Sequence, residues 1–313
     1  MDELFDILII GSGVIGSAVA RELSRYQLKI GVLEKELDVC NETSGRNSGV
    51  IHGGFNYKTG SLKAQCCVEG CLEFQETADE LDVPFKRCGK VLVGFTEEDL
   101  ISLEKSKELG DRNGSKGLEV IGEERLKELA PYINGKYAMF SPYSGIVNPF
   151  LYTIALAENA RMNGAEFFFK NEVTAIDRQA HYFEITTAER TFRTRWVVNC
   201  AGLNSAVISE MLGIPGYTMR GFKGEYYVLD QKAGNFLSLP AYPVSNPKIG
   251  MGIHATPTVD GNVIIGPNSD LVNDLSDYSV SSSGMADLIE SGSKLFPHIK
   301  AEYIIRNFAG VRP

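Results

Sequence analysis

The 313-residue chain contains no run of eighteen apolar residues, so no membrane-spanning helix is expected. Its start, Met1-Asp2-Glu3-Leu4-Phe5-Asp6, lacks the basic residues and the longer apolar stretch of a secretory leader. A cytoplasmic location is therefore expected, with peripheral attachment to the inner face of the membrane left open. Basic residues are not in excess: 31 Lys and Arg face 40 Asp and Glu, for a net charge of −9, which disfavours a nucleic-acid partner. No CxxC pair occurs among the six cysteines, Cys40, Cys66, Cys67, Cys71, Cys88 and Cys200. Cys67 and Cys71 lie four apart on a predicted helix, but two ligands are too few for a metal or a cluster. Free buried thiols in a reducing compartment and no metal site are expected. Internal repeats and low-complexity segments are also absent. What remains, 43% hydrophobic and 23% charged, is enough for a buried core and two domains.

The amino-terminal stretch "FDILIIGSGVIGSAVARELSRYQLKIGVLEK" is the strongest local pattern. Asp6 to Ile10 reads as a short strand, followed at once by Gly11-x-Gly13-x-x-Gly16 with Ile15 just before the last glycine. A helix to about Tyr26 and a second strand, Leu28 to Leu33, complete the unit. Gly11 permits a tight turn, Gly13 a close approach of backbone to a pyrophosphate, and Gly16 close packing of helix on strand. The helix start offers N–H groups to phosphate. Glu34, beside Lys35, is placed to accept hydrogen bonds from the adenosine ribose, and its charge repels a 2′-phosphate, which disfavours NADP. The ordered set of strand, glycines, helix, strand and acid predicts a dinucleotide site. FAD and NAD both fit it so far.

The next stretch, "TSGRNSGVIHGG" (Thr43 to Gly54), replaces the further short βα units that an NAD-binding half usually has. Thr43, Ser44, Asn47, Ser48 and Gly49 supply small hydroxyl, amide and backbone groups suited to line a longer dinucleotide. Gly53 and Gly54 permit close approach to a flat ring. Together with "KTGSLKA" (Lys58 to Ala64), "VVNCAG" (Val197 to Gly202), "KGEYYVLD" (Lys223 to Asp230), "TPTVDGNVIIGPN" (Thr256 to Asn268) and "AGVRP" (Ala309 to Pro313), this stretch resembles the FAD-dependent oxidoreductases of the D-amino-acid-oxidase superfamily. Within them it is most similar to the glycerol-3-phosphate dehydrogenase and L-2-hydroxyglutarate dehydrogenase branch. The resemblance implies an FAD cofactor and an α/β (α+β overall) fold, in which a Rossmann-like FAD-binding domain is interleaved with a mostly antiparallel β-sheet substrate domain. It also implies that Val173 contacts adenine and that Ala201-Gly202 lies near the cofactor.

The expected FAD-binding domain takes 1–85, 146–215 and 301–313, and the substrate domain takes 86–145 and 216–300. Helices are expected over 61–82, from Thr96 to near Gly110, from Pro149 to Asn163, and from Val280 to Phe296. Strands are expected at "KVLVGF", in the closely spaced segments between Glu166 and Cys200, and at "FKGEYYVLD", "IGMGIHATPT", "NVIIGPN" and the final "AEYIIRNFAGVRP". Members of the resembling family continue past "GVRP", so this sequence reads as a carboxy-terminal truncation that lacks part of the FAD site.

Oxidation of an alcohol or amine by a flavin needs a base for the heteroatom proton and a cation for an anionic substrate. His52, at the end of the quoted loop, is the first candidate base; the competing reading is a structural histidine bonding a loop carbonyl. His254 is a second acid/base candidate, a substrate ligand or a satisfied sheet histidine. Arg312 occupies the position that the resemblance places beside flavin and substrate carboxylate, where its planar fork suits an anion. Lys223 and Arg220 are further anion candidates, of which strand alternation lets one face the site. Tyr57 either caps the substrate or packs in the core. One departure weakens the phosphate reading: Asn56 stands where the glycerol-3-phosphate dehydrogenases carry an arginine.

The expected activity is hydride transfer from a small anionic secondary alcohol to FAD, glycerol-3-phosphate-dehydrogenase-like. L-2-hydroxyglutarate oxidation is the close alternative. An amine or amino-acid oxidase and a non-catalytic flavin-binding electron-transfer subunit are the more distant ones. The electron acceptor (a quinone, an electron-transfer protein or oxygen) and the oligomeric state stay open.

Overall fold

The structure, a computed structural model, describes residues 4–244 and 252–313. Met1–Glu3 of the acidic start and Ile249–Met251 of the expected strand "IGMGIHATPT" lie outside the described residues.

The first sheet is built around Leu4–Ile10. This strand runs parallel to Ile30–Leu33 on one side and to Thr191–Asn199 on the other. Glu166–Phe168 extends the sheet beyond Ile30–Leu33, and Val173–Arg178 and Phe183–Thr187 extend it as an antiparallel pair beyond Thr191–Asn199. Both faces of the central strand are covered, which is why it reads as a continuous apolar run. Leu8 and Ile10 pack with Ile185, Phe192 and Ile208, while Ile7 and Ile9 face Ala20, Val32 and Ala160. Each such fully buried aliphatic side chain contributes about 1.5–3 kcal/mol. The helices Val14–Leu23 and Pro149–Met162 lie against each other over this sheet. Asn148 caps the second by accepting from the Phe150 and Leu151 N–H groups, with Pro149 in its first turn.

Among the described residues the second sheet has nine strands. Eight run in the order Asp270–Val272, Gly221–Leu229, Val263–Ile265, Ala255–Pro257, Ala241–Pro243, Lys90–Gly94, Tyr137–Ser141 and Glu119–Gly122. The pairing is antiparallel except where Ala241–Pro243 meets Lys90–Gly94. The ninth strand, Ile304–Arg312, also pairs with Gly221–Leu229. Residues 301–313 were expected with the first domain; within them Ile304–Arg312 is hydrogen-bonded into the second sheet. It also touches the first body, with Thr43 Oγ1 donating to the Val311 carbonyl at 2.8 Å, Arg46 Nη1 to the Ala309 carbonyl at 3.3 Å, and Gly310 packed against the Arg46 backbone.

A small third sheet joins Val50–Ile51, Gly145–Val147 and Phe85–Lys86. The two expected chain crossings, near 85 and 146, both fall in it. The helix expected to end near Gly110 instead runs from Glu97 to Asn113 and ends on Gly114, whose φ of 90° is left-handed. Gly110 is a packing residue: a Cβ there would meet Leu118 Cδ1 at 2.3 Å and Phe55 Cβ at 2.7 Å. At the start of that helix Thr96 and Asp99 form a capping box.

Candidate functional site

A cavity of about 350 Å³ opens at the ends of the parallel strands, where the chain turns from Leu4–Ile10 into the helix Val14–Leu23. Gly11, Gly13, Ile15, Glu34, Lys35, Thr43, Ser44, Val173, Ala201 and Gly202 all line it. They come from five separate segments, gathered because the strands ending at Ile10, Leu33 and Asn199 are adjacent and parallel. Gly11 has φ +100°, and a Cβ there would meet the Cys200 carbonyl oxygen at 2.5 Å. Only glycine fits that turn.

Glu34 is buried and already engaged. Its Oε2 accepts from the Ser12 N–H and hydroxyl, both at 2.8 Å, and its Oε1 from the Glu36 N–H at 2.9 Å. These bonds fix the carboxylate at the cavity wall, with lone pairs left for ribose hydroxyls. The Val14 N–H, expected to be free for phosphate, donates to Ser44 Oγ at 2.9 Å. Lys35 lines the cavity while ion-paired with Glu42 and Glu36. Glu34→Ala leaves the Ser12 donors without an acceptor, at a cost of about 1–3 kcal/mol. The expected outcome is a lower melting temperature and a FAD dissociation constant raised about tenfold, read by thermal unfolding and flavin fluorescence titration.

Gly16, Asn47, Ser48 and Gly49 do not line the cavity. Gly16 packs against the Gly11 turn. Asn47 holds the quoted loop together: Nδ2 donates to the Thr43 and Ser44 carbonyls, and Oδ1 accepts from the Gly49 N–H. Gly49 packs against the Val147 carbonyl, and Ser48 sits against the Tyr242 phenol. Among the wall residues that the sequence pattern did not mark are Asn171, Asn204, Val207 and Met211. Their only signal was position, just past the ends of strands or in the short helix after Gly202.

A second cluster forms where the quoted loop leaves the first body. His52 is half-buried, and its Nδ1 lies 3.1 Å from Lys90 Nζ. Lys90 heads the strand Lys90–Gly94 and is 1% exposed. Its ammonium sits between two rings, 4.5 Å from the centroid of Phe55 and 4.6 Å from that of Tyr242. Tyr242 stacks on His254, with ring centroids 3.5 Å apart, and meets His52 edge-on. Burial holds His52 well below the ordinary imidazole pKa, and the Lys90 charge and His254 add to that. Burial also pushes Lys90 down to about 8, against the pull of the neighbouring Cys67 and Cys71 thiols.

Other sequence-predicted residues gather around this cluster to different degrees. Tyr57 and Tyr226 lie within electrostatic reach of Tyr242, and Arg312 within reach of Tyr226. Arg312 is exposed at the end of the last strand, with Nη2 3.4 Å from Ser269 Oγ. Lys63 covers the Tyr57 ring at 4.7 Å. Lys223 is held by Asp277 at 2.7 Å, an ion pair the sequence reading did not anticipate, and Arg220 is exposed just before the Gly221–Leu229 strand. His254 precedes the strand Ala255–Pro257 rather than lying within it. Sequence reasoning missed Lys90, Tyr242 and Tyr226. A lysine at the head of an apolar strand looks like an ordinary exposed end, and nothing local says it is buried. Among the described residues no group of three His, Cys, Asp or Glu could hold a metal, and no helix is long and apolar enough to cross a membrane. The six thiols are unpaired; Cys66 is exposed, unlike the buried thiols expected, while Cys67 and Cys71 donate to the His52 and Tyr143 carbonyls.

The profile of the DAO family, described as FAD dependent oxidoreductase, matches residues 6–313. The chain belongs to this family. It is 38% identical over 311 residues to a glycerol 3-phosphate dehydrogenase of Caloramator mitchellensis, covering 99% of this chain and 65% of that protein. It is 33% identical over 307 residues to the mitochondrial L-2-hydroxyglutarate dehydrogenase of Nematostella vectensis, covering 92% of this chain and 67% of the relative. The chain thus spans about two thirds of the length of these relatives. Among solved structures, the L-alpha-glycerophosphate oxidase of Mycoplasma pneumoniae, with FAD bound, superposes with a TM-score of 0.93 at 27% identity, over 99% of this chain and 83% of the other. The family is described as FAD dependent oxidoreductase, and the chain's mixed parallel and antiparallel sheets match the fold of the glycerophosphate oxidase.

Proposed function

We propose that this DAO-family chain oxidises a small anionic secondary alcohol, in the manner of a glycerol-3-phosphate dehydrogenase. The observation that carries the reading is the His52 cluster, placed on the same loop whose Thr43–Ser44 end lines the dinucleotide cavity. FAD, when bound, would supply the acceptor for the hydride, with its electron pair, of the alcohol carbon. In this reading residues 1–85 and 146–215 hold the dinucleotide, with Gly11, Gly13, Ile15 and Ser44 near its phosphates, Glu34 on the ribose, Val173 at the adenine, and Ala201-Gly202 closing the wall. Gly16, Asn47 and Gly49 shape the loop and the helix that carry these groups. Residues 86–145 and 216–300 cover the substrate.

His52 removes the hydroxyl proton, and its depressed pKa keeps the imidazole from being protonated twice at neutral pH. Arg312, exposed beside Phe222 with its guanidinium not ion-paired among the described residues, holds the anionic tail of the substrate, with Arg220 as a second cation. Lys223 orders the Asp277 segment instead. His254 orients Tyr242 by stacking, and Tyr57 borders the site.

Asn56 and the 33% identical 2-hydroxyglutarate dehydrogenase favour L-2-hydroxyglutarate as a second reading. The test is an anaerobic visible spectrum of the FAD-loaded full-length protein that contains this chain, before and after adding glycerol-3-phosphate or L-2-hydroxyglutarate to separate samples. Bleaching by glycerol-3-phosphate alone supports the proposal, bleaching by L-2-hydroxyglutarate alone selects the second reading, and bleaching by neither rejects both substrates.

A further inference from the structure

Lys90 is an unusual residue for the position it holds. It is a lysine at 1% exposure, and among the described residues no carboxylate pairs with it. A buried ammonium without a counter-ion is costly to fold around, and a buried lysine relieves that cost by losing its proton. Its contact is with His52 Nδ1, the ring nitrogen on the far side from Nε2. The protonation of these two groups is therefore linked. An ammonium at Lys90 can only donate to Nδ1, which forces the imidazole proton onto Nε2 and leaves His52 unable to act as a base there. A neutral amine at Lys90 can accept from Nδ1–H, which frees Nε2 to take a proton.

We propose that Lys90 is a positioning residue and the terminus of a two-step proton relay: its neutral amine takes the Nδ1 proton of His52 as Nε2 receives the proton of the substrate hydroxyl. This rests on the reading of His52 as the base. The substrate O–H bond breaks and Nε2–H forms, while Nδ1–H breaks and Nζ–H forms. The imidazole is neutral before and after, with its tautomer reversed, and the positive charge comes to rest on Lys90. The C–H bond breaks as a hydride, which carries the bond's electron pair and would be accepted by oxidised FAD. The fold suits this outcome, because an imidazolium at His52 is strongly disfavoured by burial and by the neighbouring cation. The Phe55 and Tyr242 rings meanwhile stand over the ammonium that forms instead.

The other titratable groups facing this pair do not compete for the proton. Cys67 and Cys71, on the helix Leu62–Glu80, are pushed up by burial, Cys71 to about 11, and stay protonated near neutral pH. Tyr242 and Tyr57 are raised as well. His254 lies behind Tyr242, stacked on it.

The experiment is anaerobic stopped-flow bleaching of the flavin in the FAD-loaded full-length protein across pH, for wild type, Lys90→Met, Lys90→Arg and His52→Asn. It is joined by nitrogen NMR of the His52 tautomer in the wild type. The bleaching rate is expected to rise with pH through a limb near 8 in the wild type. Both Lys90 variants should lose that limb and slow on the order of 10²-fold. Above the limb His52 should carry its proton on Nδ1. If Lys90→Met keeps the limb and the rate while His52→Asn is inactive, the relay is overturned and the base assignment survives. If His52→Asn bleaches like the wild type, the base assignment itself has failed. Should the Lys90 variants not fold, the wild-type tautomer decides alone: a proton on Nε2 at every pH overturns the relay.

Discussion

His52→Ala is expected to lower the rate of flavin reduction by about 10²–10⁴-fold while FAD remains bound. The separation of the two effects follows from the structure. His52 does not line the 350 Å³ cavity proposed to hold the dinucleotide, so its loss should leave flavin content and absorbance unchanged. What it removes is the group that takes the hydroxyl proton. A purely structural histidine predicts the opposite pattern, with reduced stability and a near-normal rate per bound flavin. The pH sign can be worked out as well. His52 has its pKa lowered by burial, by Lys90 and by His254, so it binds protons less readily folded than unfolded. Its contribution to stability is therefore present above the ordinary imidazole range and is lost as pH falls through that range toward the folded value. The Ala variant should accordingly show a shallower loss of melting temperature between neutral and mildly acid pH. An acid-side stability profile identical to that of the wild type would show that His52 is not held neutral by the fold.

The largest effect on the cofactor site is expected from Gly16→Ala. A Cβ at Gly16 would lie 1.9 Å from the Gly11 carbonyl oxygen, which is backbone and cannot swing aside. The helix Val14–Leu23 would have to move off the strand, taking with it the Gly11–Gly13 turn that forms part of the cavity wall. Overpacking of this kind costs about 1–3 kcal/mol or more, and the melting temperature should fall by roughly 5–10 °C. FAD retention should fall at least about tenfold, because the displaced turn no longer presents its backbone to the pyrophosphate. Gly13→Ala is the informative contrast. Its Cβ would meet only Ser44 Oγ, at 3.0 Å, a side chain that can rotate. That variant should keep most of its stability and still bind FAD poorly, because Gly13 lines the cavity. Thermal unfolding paired with flavin retention on gel filtration measures both. Equal melting temperatures for the two variants would reject the close-packing role of Gly16.

The two sites differed in how far they could be read from the sequence. The dinucleotide cavity was legible because each of its parts is local. A tight turn needs Gly11 next to the end of a strand, helix packing needs Gly16, and Glu34, the acid proposed for the ribose, directly follows the second strand. Their order and spacing carry the geometry, since adjacent parallel strands place their carboxyl ends side by side. The helix starts were legible for similar reasons, from Thr96-x-x-Asp99 and from Pro149. Where the reading failed locally, a glycine was taken as a stop although packing required it, as at Gly110 against Phe55 and Leu118.

The His52 cluster was legible only in part. His52 stood out as the one histidine in a loop of small residues, but its partner lies 38 positions away on a strand of another sheet. The pairing of the last strand with Gly221–Leu229, and of Lys223 with Asp277, escaped the sequence in the same way.

By itself the sequence determined the family, the cofactor and the backbone of the nucleotide half, because these rest on steric demands that single residues and short spacings express. The tertiary structure alone decided which charged groups meet. It buried Lys90 against His52, tied Lys223 to Asp277 and placed the tail on the second sheet. Contacts of that kind depend on strand order and register across hundreds of residues, and the burial that shifts a proton affinity exists only once those strands have come together.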